Sequence, residues 1–252
     1  MSEFIFHFKH NLFLKNIIEI SNTILTDINL HFSPDGIEMN AMDASHISLV
    51  HFFLEKEHFK EITISKSNII IGIHIKTLHT LLKCWKPGDE LIISYFGDSS
   101  LQLTLKEKEQ QYLFSIPLLN IEQECICIPK DMSFDAELEM TSVQFFNIIK
   151  NLGTIGGMDI EFQSVGKLIN IKSSGDLGSV CLTREFKKQD IQIFKNLNIK
   201  VSTRYINPFS KGYLLSDKVR IGMKEENPLL LHYSLGNQSY IQFFIAPKFD
   251  DE

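Results

Sequence analysis

The segment Ser33–Val50, SPDGIEMNAMDASHISLV, joins a turn, a strand and a polar loop. Pro34-Asp35-Gly36 predicts a tight turn, because proline presets φ and glycine tolerates a positive φ. Apolar and polar residues then alternate over Ile37–Met42, which predicts a strand with one face in the core. Met42 places an apolar side chain on the polar face, beside the short loop Asp43–Ile47. We therefore expect this loop to be part of a docking surface.

Two separated motifs resemble those of one protein family. Met42–Val50, MDASHISLV, resembles the M-D-S-S-H-V-S-L-V motif of the proliferating cell nuclear antigen family of sliding clamps. Ile245–Glu252, IAPKFDDE, resembles that family's L-A-P-K-I-E-D-E terminus. The segments between them align with few gaps, so the resemblance covers essentially the whole chain. It implies an α+β fold, the DNA-clamp fold, with two similar domains that each pack two helices on antiparallel sheets.

Composition alone limits the function classes. The 252 residues contain 44% apolar and 22% charged residues, which is typical of a folded soluble protein. A formal net charge of −6 argues against a simple nucleic-acid-binding domain, which is usually basic. An acidic chain can still hold DNA if its lysines and arginines are concentrated on one surface.

The cysteines and the lack of catalytic motifs argue against metal sites and enzymatic activity. The chain does not open with a signal-peptide pattern, and its cysteines predict a reduced intracellular protein. Cys125 and Cys127 are too close for ordinary zinc spacing, so we interpret them as free thiols. No apolar run reaches the roughly 18 residues of a membrane span. Phosphate-loop, dinucleotide-binding, nucleophile-elbow and zinc-protease motifs are absent, so we expect no cofactor, no metal and no enzymatic activity.

An internal repeat indicates two copies of one domain. Asn16-Ile17-Ile18 recurs as Asn147-Ile148-Ile149, about half a chain length further on, and Gly36 with Asn40 recurs as Gly166 with Asn170. We predict domains at 1–117 and 135–252, joined by a linker over 118–134. Apolar periodicity predicts these helices: Phe13–Leu25, Ile75–Trp85, Phe145–Ile155 and Thr203–Leu214. It predicts first-half strands at Ile28–Phe32, Ile37–Met42, Ile47–Leu54, Ile62–Ile75, Leu91–Phe96, Leu101–Leu105 and Gln111–Ile116.

Each predicted helix carries at least one basic residue on its polar face. These residues are Lys15, Lys83, Lys150, Arg204 and Lys211. A lysine on the wet side of an amphipathic helix is also the ordinary outcome for any soluble protein. The family resemblance implies that these five line the inside of a ring and face duplex DNA. Asn16, Asn22, Thr80, Asn147 and Thr154 stand where the family often has basic residues or histidine, so we expect weak affinity that depends on enclosing the DNA.

The resemblance also implies how the chain assembles and what it binds. Head-to-tail pairing of edge strands would close a homotrimer through Tyr112, Phe114, Val180 and Leu182. A pocket for short client peptides, which present one aliphatic and two aromatic side chains, would be formed by Met42, His46, Ile47, Leu49, Ile126, Ile128, Pro228, Phe244, Ala246 and Pro247. For any one of these positions, an ordinary place in the core is an equally simple interpretation.

The resemblance therefore implies a sliding clamp that acts as a DNA polymerase processivity factor and as a docking platform for replication and repair proteins. Its partners would be double-stranded DNA, a DNA polymerase, other proteins with clamp-binding peptides and copies of itself; the need for a clamp-loader ATPase is left open. The site of action would be the nucleus, or a cytoplasmic replication site if the protein is viral. The alternative is a subunit of a hetero-ring checkpoint clamp, or a processivity factor that does not encircle DNA.

Overall fold

The structure is a computed structural model that describes residues 2–9, 11–122, 126, 128, 132–165, 168–185, 191–193 and 195–249. The chain divides into two compact units. One unit consists of Met1–Ala44, Val50–Ile126 and Leu235–Ile241. The other consists of Ser45–Leu49, Cys127–Ser234 and Gln242–Glu252.

The first half of the chain folds into strands and two helices. In order they are β1 (Phe4–Phe8), α1 (Phe13–Ser21), β2 (Asp27–Ser33), β3 (Gly36–Met42), β4 (Ser48–Glu55), a 3₁₀ turn (Lys56–His58), β5 (Phe59–Ile64), β6 (Ile69–His74), α2 (Ile75–Leu82), β7 (Glu90–Tyr95), β8 (Ser100–Lys106) and β9 (Gln111–Pro117). β5-β1-β7-β8-β9 form an antiparallel sheet, and β4-β3-β2-β6 are neighbours in another.

The second half repeats this arrangement. Its elements are β10 (Ala136–Thr141), α3 (Ser142–Gly153), β11 (Asp159–Val165), β12 (Leu168–Gly175), β13 (Gly178–Glu185), β14 (Ile191–Ile193), β15 (Leu197–Ser202), α4 (Thr203–Phe209), a 3₁₀ turn (Ser210–Leu214), β16 (Lys218–Met223), β17 (Leu229–Ser234) and β18 (Tyr240–Ile245). Their strand orders, β14-β10-β16-β17-β18 and β13-β12-β11-β15, match those of the first half element by element. The predicted two-copy organisation is therefore confirmed.

The turn at Pro34-Asp35-Gly36 has the predicted form and a second constraint. Gly36 has φ of 143°, a conformation that side chains rarely adopt. A Cβ at Gly36 would also lie closer than 3.0 Å to the carbonyl oxygen of Leu54. After the turn, Ile37, Met39 and Ala41 are buried while the residues between them are partly exposed, which confirms the predicted strand face.

The helices bury the predicted apolar faces but end earlier than expected. In α1, Leu14, Ile17 and Ile18 are buried, yet the helix stops at Ser21 rather than Leu25. Asn22 forms the C-cap, and the Thr23 hydroxyl donates a hydrogen bond to the Ile20 carbonyl at 2.7 Å. Side chains of this type compete with helix continuation by bonding to the backbone nearby.

Two other predicted elements need correction. Ile62–Ile75 is not one strand, because the polar turn Ser65–Asn68 separates β5 from β6. Thr203–Leu214 is not one α-helix: α4 ends at Phe209 and a 3₁₀ turn follows. Pro208 lies in the last turn of α4 and has no N–H to donate to the α-helical ladder, which is consistent with the early end of this helix. β1 is not among the predicted strands.

The segment between β9 and β10 contains little regular structure among its described residues. Leu119 forms an isolated bridge with Gly72 of β6, and its N–H donates to the Gly72 carbonyl at 2.8 Å. A Cβ at Gly72 would lie closer than 3.0 Å to the Leu119 carbonyl oxygen, so this close approach requires glycine. The predicted boundaries at 117 and 135 stay predictions.

We predict that Gly212→Ala lowers the free energy of unfolding by about 1 to 3 kcal/mol, because the added methyl group overpacks a filled space. Its Cβ would lie closer than 3.0 Å to three carbons of the fully buried Tyr233 ring. That ring cannot move freely, since its hydroxyl donates to the Phe209 carbonyl at 3.0 Å. Urea denaturation measures the change.

Gly153→Ala is the matched control, since it lies at the end of α3 and its Cβ would have no neighbour nearer than 3.9 Å. Alanine in a helix is more favourable than glycine by up to about 1 kcal/mol, so this variant should be neutral or slightly stabilised. Equal destabilisation of both variants would contradict the packing argument.

Candidate functional site

Each unit presents one helix pair with basic side chains. α1 packs against α2, and α3 packs against α4 and the 3₁₀ turn that follows it. Because the apolar stripes of these helices are buried, their basic residues are directed away from the core. Lys83, Lys150, Arg204 and Lys211 are all exposed.

These four cations have no ion-pair partner among the residues that the structure describes. Three basic residues on the strands differ in this respect. Lys218 and Arg220 of β16 pair with Glu139 and Glu137 of β10, and Lys60 of β5 pairs with Glu90 of β7. The charges of the strand residues are therefore partly neutralised, whereas those on the helices remain available to an anionic partner.

Lys15 has a different environment from the other predicted DNA contacts. It is half-buried, and its Nζ donates to the carbonyl oxygens of Trp85 at 2.6 Å and Lys83 at 3.3 Å. These carbonyls follow the last turn of α2, where helix carbonyls lack intrahelical partners. Lys15 therefore fastens α1 to the end of α2, a role that its position on the polar face did not reveal.

His79 lies on α2 close to the same basic residues. Burial lowers the pKa of the His79 imidazole, and the ammonium groups of Lys83 and Lys15 lower it further, although Glu19 opposes them. A lowered pKa means that the ring is neutral at pH 7. His79 therefore adds no positive charge to the surface of this helix pair.

The predicted assembly residues lie on two edge strands. β9 is at one edge of its sheet, and β13 is at one edge of another. Tyr112 and Phe114 of β9 stack with ring centroids 6.2 Å apart, and Tyr112 is 43% exposed. Val180 and Leu182 of β13 are half-buried, on the same face as the core residue Ile171. Both edges thus leave apolar side chains on the core-facing side incompletely covered.

The predicted docking residues of the second unit include one directly bonded pair. The Ala246 N–H donates to the Ile47 carbonyl at 2.8 Å, so the loop 45–49 and the segment after β18 lie side by side. His46, next to Ile47, is exposed and has a positive φ of 54°. Leu49 and Pro247 are half-buried, which leaves part of each side chain accessible.

The remaining docking residues are less uniform. Met42, Ile126 and Ile128 are half-buried, and Pro228 is exposed just before β17. Phe244 is only 8% exposed, so it supports the surface more than it offers a contact area. Cys125, Cys127, Gly166 and the acidic end Asp250–Glu252 lie outside the described residues.

The described residues also bear on the expectations for cysteines, metal ligands and membrane spans. Cys84 and Cys181 are free and exposed. In the described ranges, no three His, Cys, Asp or Glu side chains come together as metal ligands. None of the helices in those ranges is long and apolar enough to cross a membrane.

Family models and known proteins match nearly the whole chain. A model of the N-terminal domain of proliferating cell nuclear antigen matches residues 3–125, and a model of its C-terminal domain matches residues 128–248. Proliferating cell nuclear antigen 2 of Drosophila melanogaster is 28% identical over 248 residues, which cover 95% of each chain. Probable DNA polymerase sliding clamp 2 of Paramecium bursaria Chlorella virus 1 is 28% identical over 95% of this chain and 88% of its own.

A solved structure agrees with these sequence matches. The crystal structure of the antigen from Entamoeba histolytica superimposes with a TM-score of 0.89 at 25% identity, covering 99% of this chain and 100% of that one. Together with the matched element order of the two halves, these similarities identify the fold. The chain belongs to the proliferating cell nuclear antigen family of DNA sliding clamps.

Proposed function

We propose that this clamp encircles duplex DNA as a head-to-tail homotrimer, holds a DNA polymerase on its template and docks other replication and repair proteins. The observation that carries the proposal is that both equivalent helix pairs present exposed cations, Lys83, Lys150, Arg204 and Lys211, for which the described residues provide no carboxylate. A DNA backbone presents one charge per about 1.7 Å of axis. Lysine and arginine contacts to phosphates hold it without reading sequence, which permits sliding.

We predict that Lys83→Gln combined with Lys150→Gln weakens DNA binding and flattens its salt dependence. Removing one lysine–phosphate interaction should reduce the slope of log K against log salt by about 0.9. Fluorescence anisotropy of a labelled duplex at several salt concentrations measures both quantities. Lys56→Gln, an exposed lysine in the 3₁₀ turn after β4, is the control and should change neither.

Lys15→Gln separates a structural role from a DNA contact. Without the hydrogen bonds from Lys15 to the α2 end, the free energy of unfolding should fall by about 1 kcal/mol. The salt slope should change less than in the double variant of Lys83 and Lys150. An unchanged slope in that double variant would show that these cations do not face DNA.

Ring closure is supported by the open edges of β9 and β13. An edge strand presents a row of unpaired backbone N–H and C=O groups that another chain can extend. Pairing β9 of one subunit with β13 of the next would also cover Tyr112, Phe114, Val180 and Leu182. Because the two edges differ, the contact is head-to-tail, and it closes only when the rotation per subunit divides a full turn.

We expect light scattering to give three times the 29.0 kDa chain mass for the wild-type protein. Tyr112→Glu should shift this mass towards the monomer, because the change places a charge in the proposed joint. Phe96→Glu is the control and should leave the mass unchanged. Phe96 is 46% exposed, close to the 43% of Tyr112, but it lies in the turn after β7 and not on an edge strand. A wild-type monomer at micromolar concentration would instead favour a hetero-ring subunit or a non-encircling factor.

Client docking is supported by the bonded pair of loop 45–49 and the segment after β18. The half-buried Leu49, Ala246 and Pro247 and the exposed Ile47 offer apolar contact area beside polar backbone. Clients that present one aliphatic and two aromatic anchors would fill apolar pockets, as in other interfaces where a few aromatic anchors dominate the binding energy.

Met42→Asp and Ile128→Asp should each abolish binding of such a peptide while leaving the thermal midpoint nearly unchanged, because both side chains are only half-buried. Isothermal titration calorimetry and thermal denaturation measure the two effects. Ile70→Asp, at a 40% exposed isoleucine of β6, should leave peptide binding intact. A parallel loss of stability and binding would mean that Met42 and Ile128 are core residues.

The family supports four further parts of this proposal, which concern catalysis, the connection between the domains, a loader and the site of action. The protein acts as a scaffold without catalysis of its own, with residues 118–134 as the connection between domains 1–117 and 135–252. A loader ATPase that opens the ring is a further proposed partner. The site of action is the nucleus or a viral replication site, and relatives in both a eukaryote and a virus support these two alternatives.

A further inference from the structure

The segment Ala246–Phe249 follows β18 and is held at two points of the backbone. The Ala246 N–H donates to the Ile47 carbonyl at 2.8 Å, and the Lys248 N–H donates to the Lys200 carbonyl of β15 at 2.7 Å. Pro247, between these points, has no N–H to donate. The segment therefore lies extended between the loop 45–49 and β15.

A charged contact reinforces the second point. Lys248 Nζ lies 2.5 Å from Asp159 Oδ1, with the two side chains 46% and 28% exposed. Asp159 is the first residue of β11, where it is paired in register with Ser202. Its own carbonyl accepts a hydrogen bond from the Ser173 hydroxyl at 2.7 Å. The carboxylate is thus attached to a backbone that is fixed on two sides.

We propose that Asp159 is a positioning residue for client docking: through Lys248 it holds the segment extended, so that Ala246 and Pro247 stay in place for the peptide. The proposal rests on the docking function proposed above. Asp159 itself does not touch the peptide. It acts by reducing the number of conformations that the segment must give up when the peptide binds, which is how preorganisation raises affinity.

The size of the effect is bounded by the exposure of the pair. Partly exposed ion pairs contribute modestly and are screened by salt. Removing this one should therefore weaken peptide binding by about two- to five-fold rather than abolish it. The difference from wild type should shrink as the salt concentration rises, because the wild-type pair is then screened as well.

The test compares Asp159→Asn with wild type, using a fluorescein-labelled peptide with one aliphatic and two aromatic anchors. We expect a two- to five-fold rise in Kd at low salt, recovery in Asp159→Glu, and recovery when Asp159→Lys is combined with Lys248→Glu. Glu139→Gln is the matched control, because it breaks an exposed pair of the same 2.5 Å length, with Lys218, at a strand pair elsewhere in the unit. It should leave Kd unchanged.

A second measurement does not depend on the peptide. Hydrogen exchange of the Lys248 amide should be faster in Asp159→Asn than in wild type or in Glu139→Gln, since the ion pair supports the Lys248 N–H bond to Lys200. Equal exchange rates and equal Kd values would overturn the positioning role. If wild type binds no such peptide at all, the docking function fails, and the exchange rates still decide whether Asp159 holds the segment.

Discussion

Burial of the helix apolar faces against their sheets is the interaction on which the arrangement of the molecule depends. Ile17, Ile18, Ile75 and Leu78 in one unit are buried, as are Phe145 and Ile149 in the other. A helix that buries one stripe has to present the opposite stripe to solvent. The position of every charged side chain on these helices follows from that packing. An acidic protein can therefore carry exposed cations on its helices, while some of its carboxylates pair with lysine or arginine side chains on the strands.

The two halves show how one topology can serve different tasks. Corresponding strands occupy corresponding places in each sheet, so the same packing solution is used twice. The side chains on corresponding helices differ between the two halves. In the first half, Lys15 is tied to carbonyls at the end of α2, whereas in the second half Lys150 is exposed and Thr141 caps the start of α3. The two halves share their strand order, and the side chains that differ between them determine which charged groups are exposed to solvent.

Patterns within a single helix or strand predict much of this fold. Contacts between residues that are far apart in the sequence cannot be predicted from such patterns. Alternation over Ile37–Met42 and the stripe of α1 are periodic within one element, so sequence alone identifies their buried faces. The turn Ser65–Asn68 is not predicted either, because the isoleucines on both sides of it have the pattern of one continuous strand. The partners of Lys15 and Lys248 are far away along the chain, and nothing in the local sequence of either lysine marks Trp85 or Asp159 as its neighbour. Two motifs are enough to recognise the family and to suggest a candidate site, whereas the contacts of Lys15 and Lys248 require the structure.

The edges of β9 and β13 also bear on how long each polypeptide survives in a cell. In a newly made chain β9 and β13 are edge strands, and exposed edge strands are sites of aggregation and of capture by quality-control machinery. In the proposed ring, pairing of β9 with β13 of the next subunit would cover both edges and remove both hazards there. The lifetime of the polypeptide should then depend on its own concentration, and its abundance in the cell would report how completely it has been assembled.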